Sequence, residues 1–259
     1  MCVLCQAILR HLTAFKTGLD VAFLPRDDVR YNRRDPDGII GAITTMTDTT
    51  KIPSKPNQAI QTQVPTITRK DGMSWEEFSR TWDEIGPFEL INGAVIPMPP
   101  KVHGHNKFAH NIDFAINTFA KPRQLGEAYT EGTFIRPDSE ERNWIKGSRI
   151  PDVLYYRMER LKAYYESNED WETKPLALAP DLVVEIISSN DTHHAVSEKV
   201  EGYLAMGVQI VWVITPPQRI IEVHTAGSNT IEKLTSGDAL SGGTVLPEFT
   251  MAVDDVFGT

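Results

Sequence analysis

The segment PDLVVEIISSNDTHHAVSEKVEGYLAMGVQIVWVIT, residues 180–215, constrains the fold more than any other stretch. It opens on a run from Asp181 to Ile187 that is apolar almost throughout, and it closes on a second such run, QIVWVIT. Short runs of this kind, apolar at nearly every position, read as strands buried on both faces. Between them Val196, Val200, Tyr203 and Leu204 recur at helical spacing over about residues 192–206, and Gly207 marks the helix end. Two residues break the pattern. Glu185 stands in the middle of the first strand among Val183, Val184, Ile186 and Ile187, and Lys199 lies on the apolar stripe of the helix.

The surrounding sequence supplies further elements. SWEEFSRTW places Ser74 as a helix N-cap with Glu77 three residues on, a capping box. FELINGAVIPM reads as a hairpin turning at Asn92-Gly93. HGHNKFAHNIDFAINTFA aligns Phe108, Ile112, Ala115, Ile116 and Phe119 on one helical face. EAYTEGTFIRP and RIPDVLYYR read as strands, MERLKAYYES as a short helix, RIIEVHT as a strand, and the tail from Leu234 as short strands with a final helical turn. The order αββαββ(α)βαββ predicts an α/β fold with a mixed central sheet flanked by helices.

Residues 1–70 differ from this pattern. They are rich in Pro, Asp, Arg and Thr without sustained periodicity, and they read as a disordered or loosely attached segment, with Met46 as an alternative start. Residues 71–259 form the predicted domain. The net charge of −9 argues against a bulk nucleic-acid coat protein, though not against an enzyme that meets a phosphodiester through a metal. The two cysteines, Cys2 and Cys5, with His11 as a third donor, fall short of a structural zinc set and of a disulfide scaffold. No apolar run reaches membrane-spanning length. The expectation is a cytoplasmic protein without a membrane association.

The misplaced acids carry the chemistry. A buried, unpaired carboxylate costs several kcal/mol, roughly, unless it is neutralised or bound to a cation. Asp152, in RIPDVLYY, has Ile150, Val153 and Leu154 around it, much as Glu185 has its own apolar neighbours. Two such acids on neighbouring core strands point to a shared cation, and oxygen donors suit Mg²⁺ or Mn²⁺. The backbone carbonyl of Ile186 would add a third oxygen. Read structurally instead, Asp152 would cap a turn after Pro151, and Glu185 would pair with an arginine such as Arg149. Lys199 favours the cation reading, because a lysine on an apolar face needs either a path to solvent or an acid to hold it. His193 and His194 are adjacent rather than one turn apart, so they read as solvated or as phosphate contacts, the former first. Asp181, after Pro180 at the strand start, reads as an exposed acid.

Together these stretches resemble the bacterial putative restriction endonuclease family of the PD-(D/E)xK nuclease superfamily. FELINGAVIPMPP, HGHNKFAHNI, RIPDVLYY, residues 179–224 and the tail from Leu234 occur in the family's order, covering about residues 72–257. The resemblance implies a restriction-endonuclease-like core and an Mg²⁺-dependent endonuclease (Mn²⁺ as substitute) acting on nucleic acid, DNA first. It makes Asp152 and Glu185 the metal-binding acids, with the Ile186 carbonyl beside them. The motif lysine should stand two residues after Glu185, where Ile187 is found, and Lys199 takes that role from the following helix. Glu89 and His105 match further family positions, as an auxiliary ligand and as a phosphate or water contact, with His103 a near neighbour. A homodimer is also an expectation of the resemblance. The rival reading is a catalytically silent module that binds nucleic acid or protein on the same fold; metal-dependent cleavage separates the two.

Overall fold

A computed structural model describes residues 72–137, 143–188 and 191–258. The expectation for residues 1–70 and the Cys2–Cys5 pair lie outside the described residues. The central sheet has six strands: β4 (Gly126–Thr130), β8 (Val153–Arg157), β9 (Leu182–Ile186), β10 (Ile210–Thr215), β11 (Ile220–Thr225) and β12 (Ile231–Leu234). Their order is β12-β11-β10-β9-β8-β4. β9 and β10 run parallel, and every other neighbouring pair is antiparallel, so the sheet is mixed.

The parallel pair follows from the strand–helix–strand segment, since a helix returns the chain to the same end of the sheet. That helix, α4 (His193–Ala205), is capped by Thr192, whose hydroxyl accepts the Ala195 N–H at 3.2 Å. Alternation along β9 divides the core. Leu182, Val184 and Ile186 pack toward helix α2 (His103–Ala120) and the C-terminal strands, while Val183 packs with Val200, Tyr203, Val211 and Val213 on the α4 side. With a period of two, Glu185 shares the α4 side with Val183. The α2 face buries Ile112, Ile116 and Ala120, with Phe108, Ala115 and Phe119 partly covered, the face expected from the sequence.

A second sheet of four strands holds the hairpin β2 (Phe88–Ile91) and β3 (Ala94–Pro97), with β7 (Ser148–Arg149) and β5 (Phe134–Ile135). Asn92 and Gly93 turn the hairpin with φ of 48° and 77°, both left-handed, as the tightest hairpin turn requires. Helix α1 (Trp75–Ile85) begins at Ser74, whose side chain accepts the Glu77 N–H. Helix α3 (Met158–Ser167) occupies the expected short excursion.

Several boundaries differ from the sequence reading. RIPDVLYYR is not one strand: Pro151 lacks an N–H, and the chain leaves the small sheet after β7 and joins the large one only at Val153. EAYTEGTFIRP divides likewise into β4 and β5. β12 has no signal in the sequence, because three of its four residues are exposed at the sheet edge. The remaining short elements are β1 (Met73–Ser74), β6 (Trp144–Ile145), β13 (Ala239–Ser241), β14 (Thr250–Ala252) and α5 (Val253–Phe257).

Candidate active site

Asp152 stands at the point where the chain enters β8, and it brackets Glu185. Its N–H donates to the Val184 carbonyl at 3.1 Å, and its Oδ2 accepts the Ile186 N–H at 2.6 Å. The carboxylate thus takes over a ladder bond at the end of the strand, which fixes its orientation. An extended residue points its N–H and C=O to the same edge. The Ile186 carbonyl therefore faces the side on which Asp152 lies. The other oxygen, Oδ1, meets Lys101 Nζ at 2.5 Å and His105 Nε2 at 2.7 Å. The histidine nitrogen makes no directed hydrogen bond at that distance. Burial alone would raise the Asp152 carboxyl. His105 and Lys101 outweigh it and hold the group below the usual carboxylate range.

Glu185 projects toward α4. Lys199 Nζ lies 2.7 Å from its Oε2, and the Tyr203 hydroxyl donates to its Oε1. Lys199 and Tyr203 are one helical turn apart, so both face the same acid. Burial pushes the Glu185 carboxyl up to about 7; Lys199 offsets this in part, while Asp152 and Glu89 add to it. Desolvation acts to lower the Lys199 ammonium, but the nearby acids Glu185 and Glu89 raise it above the ordinary lysine value. Burial and Glu185 likewise keep Tyr203 protonated well beyond the usual phenol range.

Asp152, Glu185, Ile186, Lys199, Lys101 and His105 all line one cavity of about 420 Å³. The six residues come from the loop before α2, its first turn, the start of β8, β9 and α4. Glu89 does not line it. It is buried, 3% exposed. Its Oε1 accepts the Ile150 N–H at 3.0 Å, and its Oε2 pairs with Arg149 at 3.3 Å. Arg149 is therefore the partner of Glu89 and not of Glu185. Gly202 makes room for it on α4, where a Cβ would meet the guanidinium at 3.0 Å. Glu89 tethers the small sheet beside the site and acts on Glu185 and Lys199 through its field.

Asp181 is a correction. It is fully buried, not exposed, with Oδ1 on Arg157 Nε at 2.8 Å and Oδ2 on the Arg157 N–H at 2.9 Å and Arg160 at 3.0 Å. Both arginines come from the β8–α3 junction, which the sequence separates from Asp181 by more than twenty residues. His193 and His194 are exposed, as expected. Two residues that contact the acids, Lys101 on Asp152 and Tyr203 on Glu185, had no assigned part from sequence. Lys101 carries one weak signal, its place four residues before His105. Tyr203 counted only as part of the apolar face.

Residues 75–254 match the family described as "Putative restriction endonuclease" (Uma2). The chain belongs to this family. Among solved structures, the crystal structure of a "putative nuclease belonging to DUF820" from Anabaena variabilis ATCC 29413 superposes with a TM-score of 0.56. The match has 19% identity and covers 71% of this chain and 97% of that one, which speaks for the fold alone. No curated protein matches. The Uma2 match spans the four elements that build the cavity, from the hairpin to α4. No helix among the described residues is long and apolar enough to cross a membrane.

Proposed function

We propose that this Uma2 protein is a divalent-metal-dependent endonuclease that hydrolyses phosphodiester bonds of nucleic acid, with DNA as its substrate. The observation that carries this reading is the convergence of Asp152 and Glu185 on one cavity with Lys199 held between helix and acid. Among the described residues no three His, Cys, Asp or Glu side chains gather as a complete ligand set. Mg²⁺ binds through one or two carboxylates and keeps several waters, and two carboxylates line this cavity. Mn²⁺ takes the same oxygen donors. Asp152, Glu185 and the Ile186 carbonyl would hold the ion. Bound there, it supplies a polarised phosphoryl oxygen and a water of lowered pKa.

The chain's own residues do the rest. The Ile186 N–H keeps Asp152 from rotating, and Tyr203 fixes the far oxygen of Glu185. Lys199 remains charged and projects from a rigid helix. It can orient the attacking water or stabilise the charge that builds on the pentacovalent phosphate. His105, on the rim beside Asp152, serves as a phosphate or water contact, and Glu89 as an auxiliary charge. A homodimer would supply a second site for the second strand.

The test is incubation of purified protein with supercoiled plasmid and with a long RNA, in Mg²⁺, Mn²⁺ or EDTA, beside Glu185→Gln. Nicked or linear DNA from the wild type in metal alone is the expected result. Cleavage of RNA only would replace the substrate. No cleavage of either under any metal would favour the binding module.

A further inference from the structure

We propose that Lys101 is a resident counter-ion of Asp152 that a divalent cation must displace, so that this lysine sets the metal affinity of the site. The inference rests on the metal-dependent reading above. Asp152 Oδ2 accepts the Ile186 N–H, and Oδ1 is the oxygen that meets the cavity-lining Lys101 and His105. Lys101 Nζ donates to that oxygen at 2.5 Å, and His105 Nε2 stands 2.7 Å from it without a directed hydrogen bond. A magnesium ion at about 2.1 Å from the same atom would stand against the Lys101 ammonium, cation against cation.

The two partners differ in how they are held. His105 sits in the first turn of α2, one turn before the buried Ala109. Lys101 lies in the linker between β3 and α2. The hairpin's last bond runs from the Met98 N–H to the Pro87 carbonyl at 2.8 Å, and the Asn106 N–H opens the helix by donating to Val102. Between them stand Pro99 and Pro100, exposed and without an N–H to donate. The Lys101 side chain is 20% exposed and that of Lys199 27%, so what separates the two is the backbone that carries them and not their access to water. Lys199, its counterpart on Glu185, is anchored on α4 within a turn of buried Val200 and Tyr203. Two acids therefore carry two lysines of different kinds, one fixed by a helix and one on a linker. Swung off Asp152, the Lys101 ammonium would still face the cavity, where a phosphodiester would offer it a new anionic partner.

The experiment measures Mn²⁺ affinity by calorimetry and melting temperature with and without Mn²⁺, for wild type, Lys101→Met and Lys101→Arg. Removing a unit charge a few ångströms from the ligand oxygen should tighten Mn²⁺ binding on the order of tenfold or more in Lys101→Met. The same variant should melt lower than wild type without metal, because Asp152 loses its counter-charge, and should match wild type when saturated. Lys101→Arg keeps the charge and should bind Mn²⁺ as the wild type does. Wild-type binding with equal or weaker affinity in Lys101→Met overturns the inference and leaves the metal site standing. Failure of all three proteins to bind Mn²⁺ removes the metal reading and this inference with it.

Discussion

Glu185→Gln probes the site through stability as well as activity. In the native protein burial raises the Glu185 carboxyl from an ordinary 4.5 up to about 7, even with Lys199 beside it. The folded state therefore binds more protons than the unfolded chain between those values. The stabilising contribution of the neutral acid is complete below about 4.5 and is lost as the pH rises through about 7. At about 1.4 kcal/mol per pH unit, the loss amounts to about 3 kcal/mol, and the side chain is too buried for solvent to screen much of it. Glutamine has no charge to lose. Denaturant unfolding of wild type and variant in EDTA, from pH 4.5 to 8.5, gives the difference in stability at each pH. That difference should move against the wild type by about 3 kcal/mol across the window. Lys199→Met, which removes the nearest compensating charge, should shift the midpoint of the loss upward. A difference that stays flat with pH would show that Glu185 ionises as freely in the fold as in water, and the buried-acid argument would fall.

Asp152→Asn should abolish metal-dependent cleavage and weaken Mn²⁺ binding; calorimetry with unchanged affinity would remove Asp152 from the ligand set. Lys199→Met should keep or tighten Mn²⁺ binding while turnover on plasmid falls on the order of 10²-fold, the scale of one lost electrostatic stabiliser. Cleavage within a few-fold of wild type would assign the lysine to packing alone. Asp181→Ala leaves the Arg157 N–H without its buried acceptor and two part-exposed arginines without their partner, and should cost about 1 to 3 kcal/mol in urea unfolding, with metal affinity unchanged in the folded protein. A loss below 1 kcal/mol, roughly the worth of an exposed pair, would show that solvent replaces the contact.

The α/β class, the hairpin turn, the N-cap of α1 and the strand–helix–strand unit were all legible in the sequence. Each rests on residues a few positions apart, where φ preference, capping chemistry and hydrophobic period act locally. Asp152, Glu185 and Lys199 were legible for a related reason: a charge in an apolar pattern is visible without knowing what surrounds it. What those charges touch was not. Pro151 and Asp152 read as part of one strand, yet the chain changes sheets there. That change lets the Asp152 carboxylate take the Ile186 N–H. Asp181 looked like an exposed strand-start acid until α3 brought Arg160 onto it. Arg149 passes Glu185 by for Glu89 because Gly202 opens space on α4, and Lys101 reaches Asp152 across fifty-one positions of chain. Pairing of this kind depends on which segments pack side by side, and no local preference encodes it. The sequence by itself determined which residues could not be ordinary core. Only the packing of β8, β9, α4 and the β3–α2 linker decided which oxygen meets which cation.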